Sequence, residues 1–219
     1  RGFNQSSKKP ETNKTLIINN PHLKKALEYF DITLSSSIDP SGGVFYPEYF
    51  RKNFIFNDLT QQGALIGLRV EGPLNSVDHR VKKLCKELDV MNNEFSVLEQ
   101  EQSNIFWEKT RKLQVFTSLQ GNLLRIVVPV SATFEVIQKL KKYETNYFLD
   151  WVGSLIWLQI DEINTKMLKE IKEIVQKAAG YLTVIKVEED MKATIDIFTV
   201  NPIKYKISEK IKKSFDPKR

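Results

Sequence analysis

Short apolar runs typical of β-strands alternate along this chain with amphipathic runs typical of α-helices. The strand-like runs are 16–18, 64–72, 95–99, 123–130, 147–153, 154–160 and 181–187. The helix-like runs begin near residues 20, 76, 105, 131, 164 and 203. The sequence therefore predicts at least six strands and five or six helices.

Single helices join most of the predicted strands, and some strands carry a polar residue at every second position. Such strands suit a sheet that has helices on one face. The sequence therefore predicts an α+β fold, with an antiparallel or mixed sheet covered by helices. Its units are expected to be split βαβ units, arranged as two ferredoxin-like lobes that share one sheet. Segment 44–56 is aromatic and irregular, and no element is predicted there.

Local signals predict where several helices begin and end. Pro21 fits the first turn of the first helix, where its missing N–H costs nothing. Ser131 or Thr133 is expected to cap the helix that follows run 123–130. Gly180 is expected to end the helix 164–179 as its left-handed C′ residue.

Residues 1–14 are polar and are predicted to form a separate N-terminal segment, with one domain over residues 15–219. The segment has no apolar signal core, and its first residue is Arg rather than Met, which suggests a chain cut from a longer one. The longest apolar run, 151–158, is too short to span a bilayer. Because the chain has a single cysteine, Cys85, it cannot form an internal disulfide, which fits a reducing cytosol. Cys85 itself is expected in the core.

A net charge of +6 and a pI near 9.2 are compatible with nucleic-acid binding. The basic residues, however, occur mostly as pairs flanked by acids, which is typical of solvated helix faces. Nucleic acid is therefore an unlikely partner. A free-standing ferredoxin-like module that binds RNA remains an alternative, supported by the aromatic residues Tyr46, Tyr49 and Phe50 if they are exposed.

The sequence contains no phosphate-binding glycine motif and no ordinary zinc-ligand set. His22 and His79 lack the neighbouring partners that acid-base catalysis needs, so no catalytic residue is assigned.

Two features of the sequence say more about a binding site. Arg69 and Arg125 lie inside apolar strands, where an arginine either points to solvent or binds an anion. In segment 150–158, two tryptophans flank Gly153 at a predicted strand break.

Segment 150–158, Asp-Trp-Val-Gly-Ser-Leu-Ile-Trp-Leu, resembles a stretch of the FAD-binding subunit of bacterial glycolate oxidase, in the FAD-linked oxidase family. Further matches follow the family's order and together cover nearly all of the chain from Thr15 onward. They are Leu68-Arg69-Val70-Glu71-Gly72 with Ser76-Val77 and Arg80, Phe106-Trp107, Leu124-Arg125 leading to Val128-Pro129, and the closing segment 211–219. The chain departs from the family at Val152, where a glycine is usual, and it stops before the family's C-terminal tail.

The resemblance implies the C-terminal, substrate-side domain of such a subunit, which covers the flavin. The cofactor would be FAD, bound mainly by an N-terminal FAD-binding domain that residues 1–14 would join to this one. The substrate would be a 2-hydroxy acid such as glycolate, and the partners would be other glycolate oxidase subunits, including an iron-sulfur subunit. The location would be cytoplasmic, or peripheral at the inner face of the cell membrane through those partners.

The resemblance also implies roles for particular residues. Arg125 would bind the substrate carboxylate or support the residues that bind it, with Arg69 as a weaker candidate. Trp151 and Gly153 would line the flavin or the substrate side of the site. The chain alone would have no oxidase activity. The alternatives are a ferredoxin-like binding module and a non-catalytic module for subunit assembly.

Overall fold

The computed structural model describes residues 10–53, 63–90, 95–117, 119–188, 191 and 202–216. Its strands are β1 (Thr12–Asn19), β2 (Gly42–Tyr46), β3 (Leu65–Gly72), β4 (Phe95–Leu98), β5 (Asn122–Val127), β6 (Thr145–Asp150), β7 (Leu155–Ile160) and β8 (Tyr181–Lys186). Its helices are α1 (Leu23–Ser35), α2 (Glu48–Asn53), α3 (Leu74–Glu87), α4 (Gln100–Arg111), α5 (Val130–Leu140), α6 (Thr165–Lys177) and α7 (Pro202–Phe215). Strand β1 begins inside the segment predicted to precede the domain.

The eight strands form one antiparallel sheet in the order β4-β1-β3-β2-β6-β7-β5-β8. Each half has the strand order of a ferredoxin-like β-α-β-β-α-β unit, and the second half is read from the opposite edge. The halves join at β2 and β6, where Phe45 pairs with Leu149. The predicted α+β fold with two lobes sharing one sheet is therefore confirmed.

The two faces of the sheet carry different cores, because side chains alternate along each strand. Helices α1, α3, α5 and α6 cover one face, here called the helix face, over residues such as Leu68, Leu124 and Ile156. The opposite face carries a smaller, aromatic core to which α2, α4 and the short 3-10 turn Gln114–Phe116 contribute. The residues next to Leu68 and Leu124 in sequence, Arg69 and Arg125, therefore point to this opposite face.

Helix α4 lies very close to the opposite face because two glycines make room for its aromatic side chains. A Cβ atom on Gly67 would lie 2.9 Å from the ring of Phe106, and one on Gly42 would lie 2.9 Å from the ring of Trp107. The Trp107 indole N–H also donates to Thr15 Oγ1 at 2.8 Å. These contacts fix the position of α4 against β1, β2 and β3.

The residues that cap two helices differ from those predicted. Helix α1 begins after His22, whose Nδ1 accepts from the Lys25 N–H at 3.2 Å, so Pro21 precedes the cap instead of lying in the first turn. Helix α5 begins after Pro129 without a side-chain cap. The prediction of Ser131 or Thr133 as the cap was wrong, because Thr133 Oγ1 instead donates to the Gly153 carbonyl at 2.7 Å.

The prediction that Gly180 is the left-handed residue ending α6 was also wrong. Ala179 has the positive φ, +55°. Gly180 is required for space, because a Cβ atom there would lie 2.6 Å from the Val127 carbonyl oxygen and 2.5 Å from Val128 Cγ1.

These neighbouring residues should respond to substitution in opposite directions. Ala179→Gly is expected to raise the free energy of unfolding by about 0.5–1 kcal/mol, because glycine adopts positive φ without strain. Gly180→Ala is expected to lower it by about 1–3 kcal/mol through overpacking. Urea unfolding of both variants measures the two changes, and changes of the same sign would contradict this assignment.

Candidate functional site

The Arg125 side chain lies on the opposite face in contact with an exposed tryptophan. Its guanidinium carbon is 4.7 Å from the centroid of the Trp151 ring, and Trp151 is 53% exposed. On the neighbouring strand β7, Trp157 pairs with Arg125, and Trp157 in turn pairs with Phe148 of β6. Arg125, Trp151 and Trp157, here called the Arg125 cluster, thus place one cation beside two indole rings.

Asp150 adds a carboxylate to the rim of this cluster. Its Oδ1 accepts from the Trp151 N–H at 2.7 Å, which caps the short 3-10 turn Trp151–Gly153. Burial raises the pKa of the Asp150 carboxyl, although the hydrogen bond from Trp151 and the charge of Arg125 act in the other direction. Asp150 therefore helps to orient the turn that presents Trp151.

The turn between β6 and β7 is conformationally strained. Trp151, Val152 and Gly153 have successive φ values of +50°, +52° and +90°. Left-handed backbone is rare for a β-branched residue and costs of order 1–3 kcal/mol. A glycine would adopt the conformation of Val152 without this strain.

Gly153 lies on the inner side of the same turn. A Cβ atom there would lie 2.9 Å from Phe30 Cδ2 and 3.1 Å from Leu27 Cδ2, both on α1. The packing around Gly153 therefore points towards the helix face, while Trp151 is presented to solvent. Gly153 fixes the turn through this close approach and through its hydrogen bond with Thr133.

Arg69 lies at a separate cavity of about 480 Å³, here called the α4 cavity. The cavity is lined by Arg69, Asn104, Trp107, Glu108 and Arg111. Arg69 Nη2 donates to Glu71 Oε1 at 2.9 Å and to Asn104 Oδ1 at 3.3 Å. Burial lowers the pKa of the Arg69 guanidinium, the charge of Glu71 opposes this, and the like charge of Arg111 lowers it further.

The structure does not bring the two predicted substrate arginines together. Arg69 is on β3 and Arg125 is on β5, which is four positions away in the sheet order. At about 4.8 Å between neighbouring strands, the two backbones are separated by roughly 19 Å across the sheet.

Sequence reasoning missed Asn104 and Arg111. Together with Trp107 and Glu108 they occupy positions i, i+3, i+4 and i+7 of α4, so they form one stripe of the helix. The adjacent stripe, Ser103, Phe106 and Thr110, is buried. The 3.6-residue period of α4 would have identified the polar stripe, but not the strand that it faces.

The aromatic residues that supported the RNA-binding alternative are mostly buried. Tyr46 is 0% exposed and Phe50 is 1% exposed, and only Tyr49, at 48%, is open to solvent. The Tyr46 hydroxyl donates to Thr110 Oγ1 at 3.0 Å, and burial raises the pKa of Tyr46. The expectation that all three rings are exposed was wrong because α2 and α4 cover this part of the opposite face.

Two further sequence expectations concern Cys85 and metal binding. Cys85 is partly buried, and burial raises the pKa of its thiol, which fits a structural role.

Among the described residues, no group of three or more His, Cys, Asp or Glu side chains is arranged to hold a metal ion. None of the described helices is both long enough and apolar enough to cross a membrane.

The chain resembles several solved structures. No protein-family model and no curated protein sequence matches the chain. A substrate-bound structure of p-cresol methylhydroxylase matches 95% of the chain with a TM-score of 0.58 at 14% identity. A 4-ethylphenol oxidase from Gulosibacter chungangensis, in complex with isoeugenol, matches 95% with a TM-score of 0.57 at 10% identity.

An alkyldihydroxyacetonephosphate synthase also matches 95% of the chain, with a TM-score of 0.51 at 13% identity. The chain shares the fold of these enzymes. It spans 51%, 52% and 44% of the three matched chains, so it corresponds to about half of each. Because the sequence identities are only 10–14%, the similarity to these enzymes shows a shared fold.

Proposed function

We propose that this chain is the substrate-side part of an FAD-dependent 2-hydroxy-acid oxidase or dehydrogenase, with glycolate as substrate. The observation that carries the proposal is the shared fold. Nearly the whole chain matches about half of several enzymes of the FAD-linked oxidase family. The motifs in residues 68–80, 106–107, 124–129 and 150–158 support the same assignment.

The Arg125 cluster has the chemistry to cover a flavin. A flavin ring is flat and aromatic, and the exposed Trp151 indole offers an aromatic surface of matching character. The Arg125 guanidinium beside it could balance negative charge near the ring. When bound, the flavin would accept the hydride equivalent from the substrate. Gly153 would contribute by holding the turn that presents Trp151.

Arg125 is the proposed partner of the substrate carboxylate. A guanidinium can bind a carboxylate through two parallel N–H···O bonds and so fix its orientation. Its contact with Trp151 would hold the carboxylate beside the flavin. The names of two structural neighbours refer to alkylphenols, which lack a carboxylate. The arginine therefore favours an acid over a phenol as substrate.

The remaining parts of the proposal concern partners. An N-terminal FAD-binding domain would hold most of the cofactor, and an iron-sulfur subunit would receive electrons. The complex would lie in the cytoplasm or at the inner face of the membrane. Residues 1–219 alone would have no oxidase activity.

The flavin content of the complete natural protein tests this proposal. The protein purified with its natural partners is expected to release FAD on denaturation, in an amount close to one per copy of this chain. Residues 1–219 produced alone are expected to release none. A complete protein without FAD would contradict the proposed function.

A second candidate function, subunit assembly without catalysis, is favoured by one observation. Ile207, Ile211 and Phe215 lie four residues apart along α7 and are 52%, 53% and 87% exposed. This spacing places them along one face of the helix. If Ile211→Ser released partner subunits from a natural complex that contained no flavin, the assembly function would be preferred.

A further inference from the structure

We propose that the α4 cavity is a binding site for the carboxylate of a small organic acid, held by Arg69 and Arg111. The inference rests on the residues that line this cavity and does not depend on the flavin or on the proposed function. The cavity is also separate from the Arg125 cluster, because none of the cluster's residues lines the cavity and Arg125 itself lies four strands from Arg69 in the sheet.

Arg69 has donor capacity that its protein contacts do not use. A guanidinium has five N–H donors, and Nη2 of Arg69 binds Glu71 and Asn104. Its Nε atom is buried, and among the described residues it has no hydrogen-bond acceptor. Because Nε is closed to solvent, a carboxylate in the cavity would accept from the remaining N–H groups on the Nη atoms, which belong to a side chain that is 23% exposed. Glu71 and Asn104 meanwhile hold the side chain in place.

Charge at the cavity also favours an anion. Burial lowers the pKa of Arg69, and the positive charge of Arg111 acts in the same direction, while Glu71 opposes both. Glu108 is the acid on the cavity wall, and it pairs with Lys112 at 2.6 Å. With Glu71, the group has three cations and two carboxylates, which leaves one net positive charge. A bound carboxylate would neutralise it.

The size and wall of the cavity suit a small acid. A volume of about 480 Å³ lies within the usual range for small-molecule sites. The Trp107 ring forms a flat apolar wall, fixed by its hydrogen bond to Thr15 and by its contact with Gly42. A carboxylate at the two arginines would therefore leave the rest of the molecule against the indole.

The three tryptophans allow the site of binding to be identified directly. Trp107 lines the α4 cavity, while Trp151 and Trp157 belong to the Arg125 cluster. The experiment is a titration of ¹⁵N-labelled chain with sodium glycolate at constant ionic strength, with sodium chloride as the control. The indole N–H signals would be recorded and assigned by Trp→Phe substitution. We expect a saturable shift of the Trp107 signal with glycolate and none with chloride.

Variants define the role of each arginine. Arg69→Met is expected to weaken glycolate binding by about tenfold or more, because it removes the charged hydrogen bonds. Arg111→Met changes an exposed side chain and is expected to weaken binding severalfold without affecting folding. Lys139→Met, which removes one exposed positive charge on α5, is the matched control and should leave binding unchanged.

Several outcomes would overturn the inference. One is the absence of a saturable Trp107 shift, and another is a shift that persists unchanged in both arginine variants. Tighter binding of sodium phosphate than of glycolate would assign the cavity to a different anion. Shifts confined to Trp151 and Trp157 would place the carboxylate at Arg125, which would overturn this inference while leaving the proposed function intact.

Discussion

Replacing Phe106 by alanine is expected to lower the free energy of unfolding by about 3–5 kcal/mol. The ring is 0% exposed and lies between α4 and the opposite face of the sheet. It makes edge-to-face contacts with Tyr46 and Trp107, at centroid distances of 6.2 and 5.4 Å. The position beneath it is Gly67, which has no side chain to fill the space left by the ring.

Ile105→Ala is the matched control for this substitution. Ile105 is the preceding residue on the same helix, but it is 42% exposed. Its truncation is expected to cost less than about 1 kcal/mol, because little packing is lost. Urea unfolding of the two variants measures both values. Equal losses would show that α4 does not pack on the sheet through Phe106.

Under the proposed function, replacing Arg125 by lysine in the complete protein is expected to lower kcat/KM for glycolate by about 100-fold. Lysine keeps the positive charge but loses the two-pronged contact with the carboxylate and the planar contact with Trp151. Most of the loss should appear in KM if the contact is equally strong in the ground and transition states. Steady-state kinetics with glycolate measures the two constants.

Lys186→Met is the control for the Arg125 variant. Lys186 is an exposed residue of β8, the strand next to β5, and its replacement removes a positive charge without altering the Arg125 cluster. It should change kcat/KM by less than about twofold. If Arg125→Lys retained the full kcat/KM for glycolate, Arg125 would not be the carboxylate partner.

Much of the fold could be predicted because the spacing of apolar residues indicates which segments form strands and which form helices. The runs at 64–72, 154–160 and 181–187 correspond to β3, β7 and β8. Strand β2 was missed because it consists of two glycines followed by three buried residues and has no alternating pattern. Its burial on both faces results from Trp107 of α4 and Val152 of the turn Trp151–Gly153, which both lie far away in the sequence.

The role of Gly180, at the end of α6, could not be predicted from the sequence for a different reason. A glycine after a helix usually indicates a left-handed residue, yet here Ala179 adopts that conformation. The need for Gly180 comes from Val127 and Val128 on another strand. A steric requirement imposed by distant residues leaves no local signal in the sequence.

Individual residues of the candidate site could be predicted from the sequence, but their arrangement could not. Arg69 and Arg125 stood out because each interrupts an apolar strand. Their separation follows from the sheet order, which places β2, β6 and β7 between them. The α4 cavity depends in the same way on how α4 lies over β3. The sequence therefore identified single charged residues but not which of them share a site.

Anaerobic absorbance spectroscopy of the complete natural protein tests the central claim most directly. Under the proposed function, glycolate added without oxygen is expected to bleach the flavin absorbance band, because the substrate would pass its hydride equivalent to the cofactor. An alkylphenol such as 4-ethylphenol is expected to leave the band unchanged. A flavin band that persists with glycolate but is bleached by the phenol would contradict the assignment as a 2-hydroxy-acid oxidase.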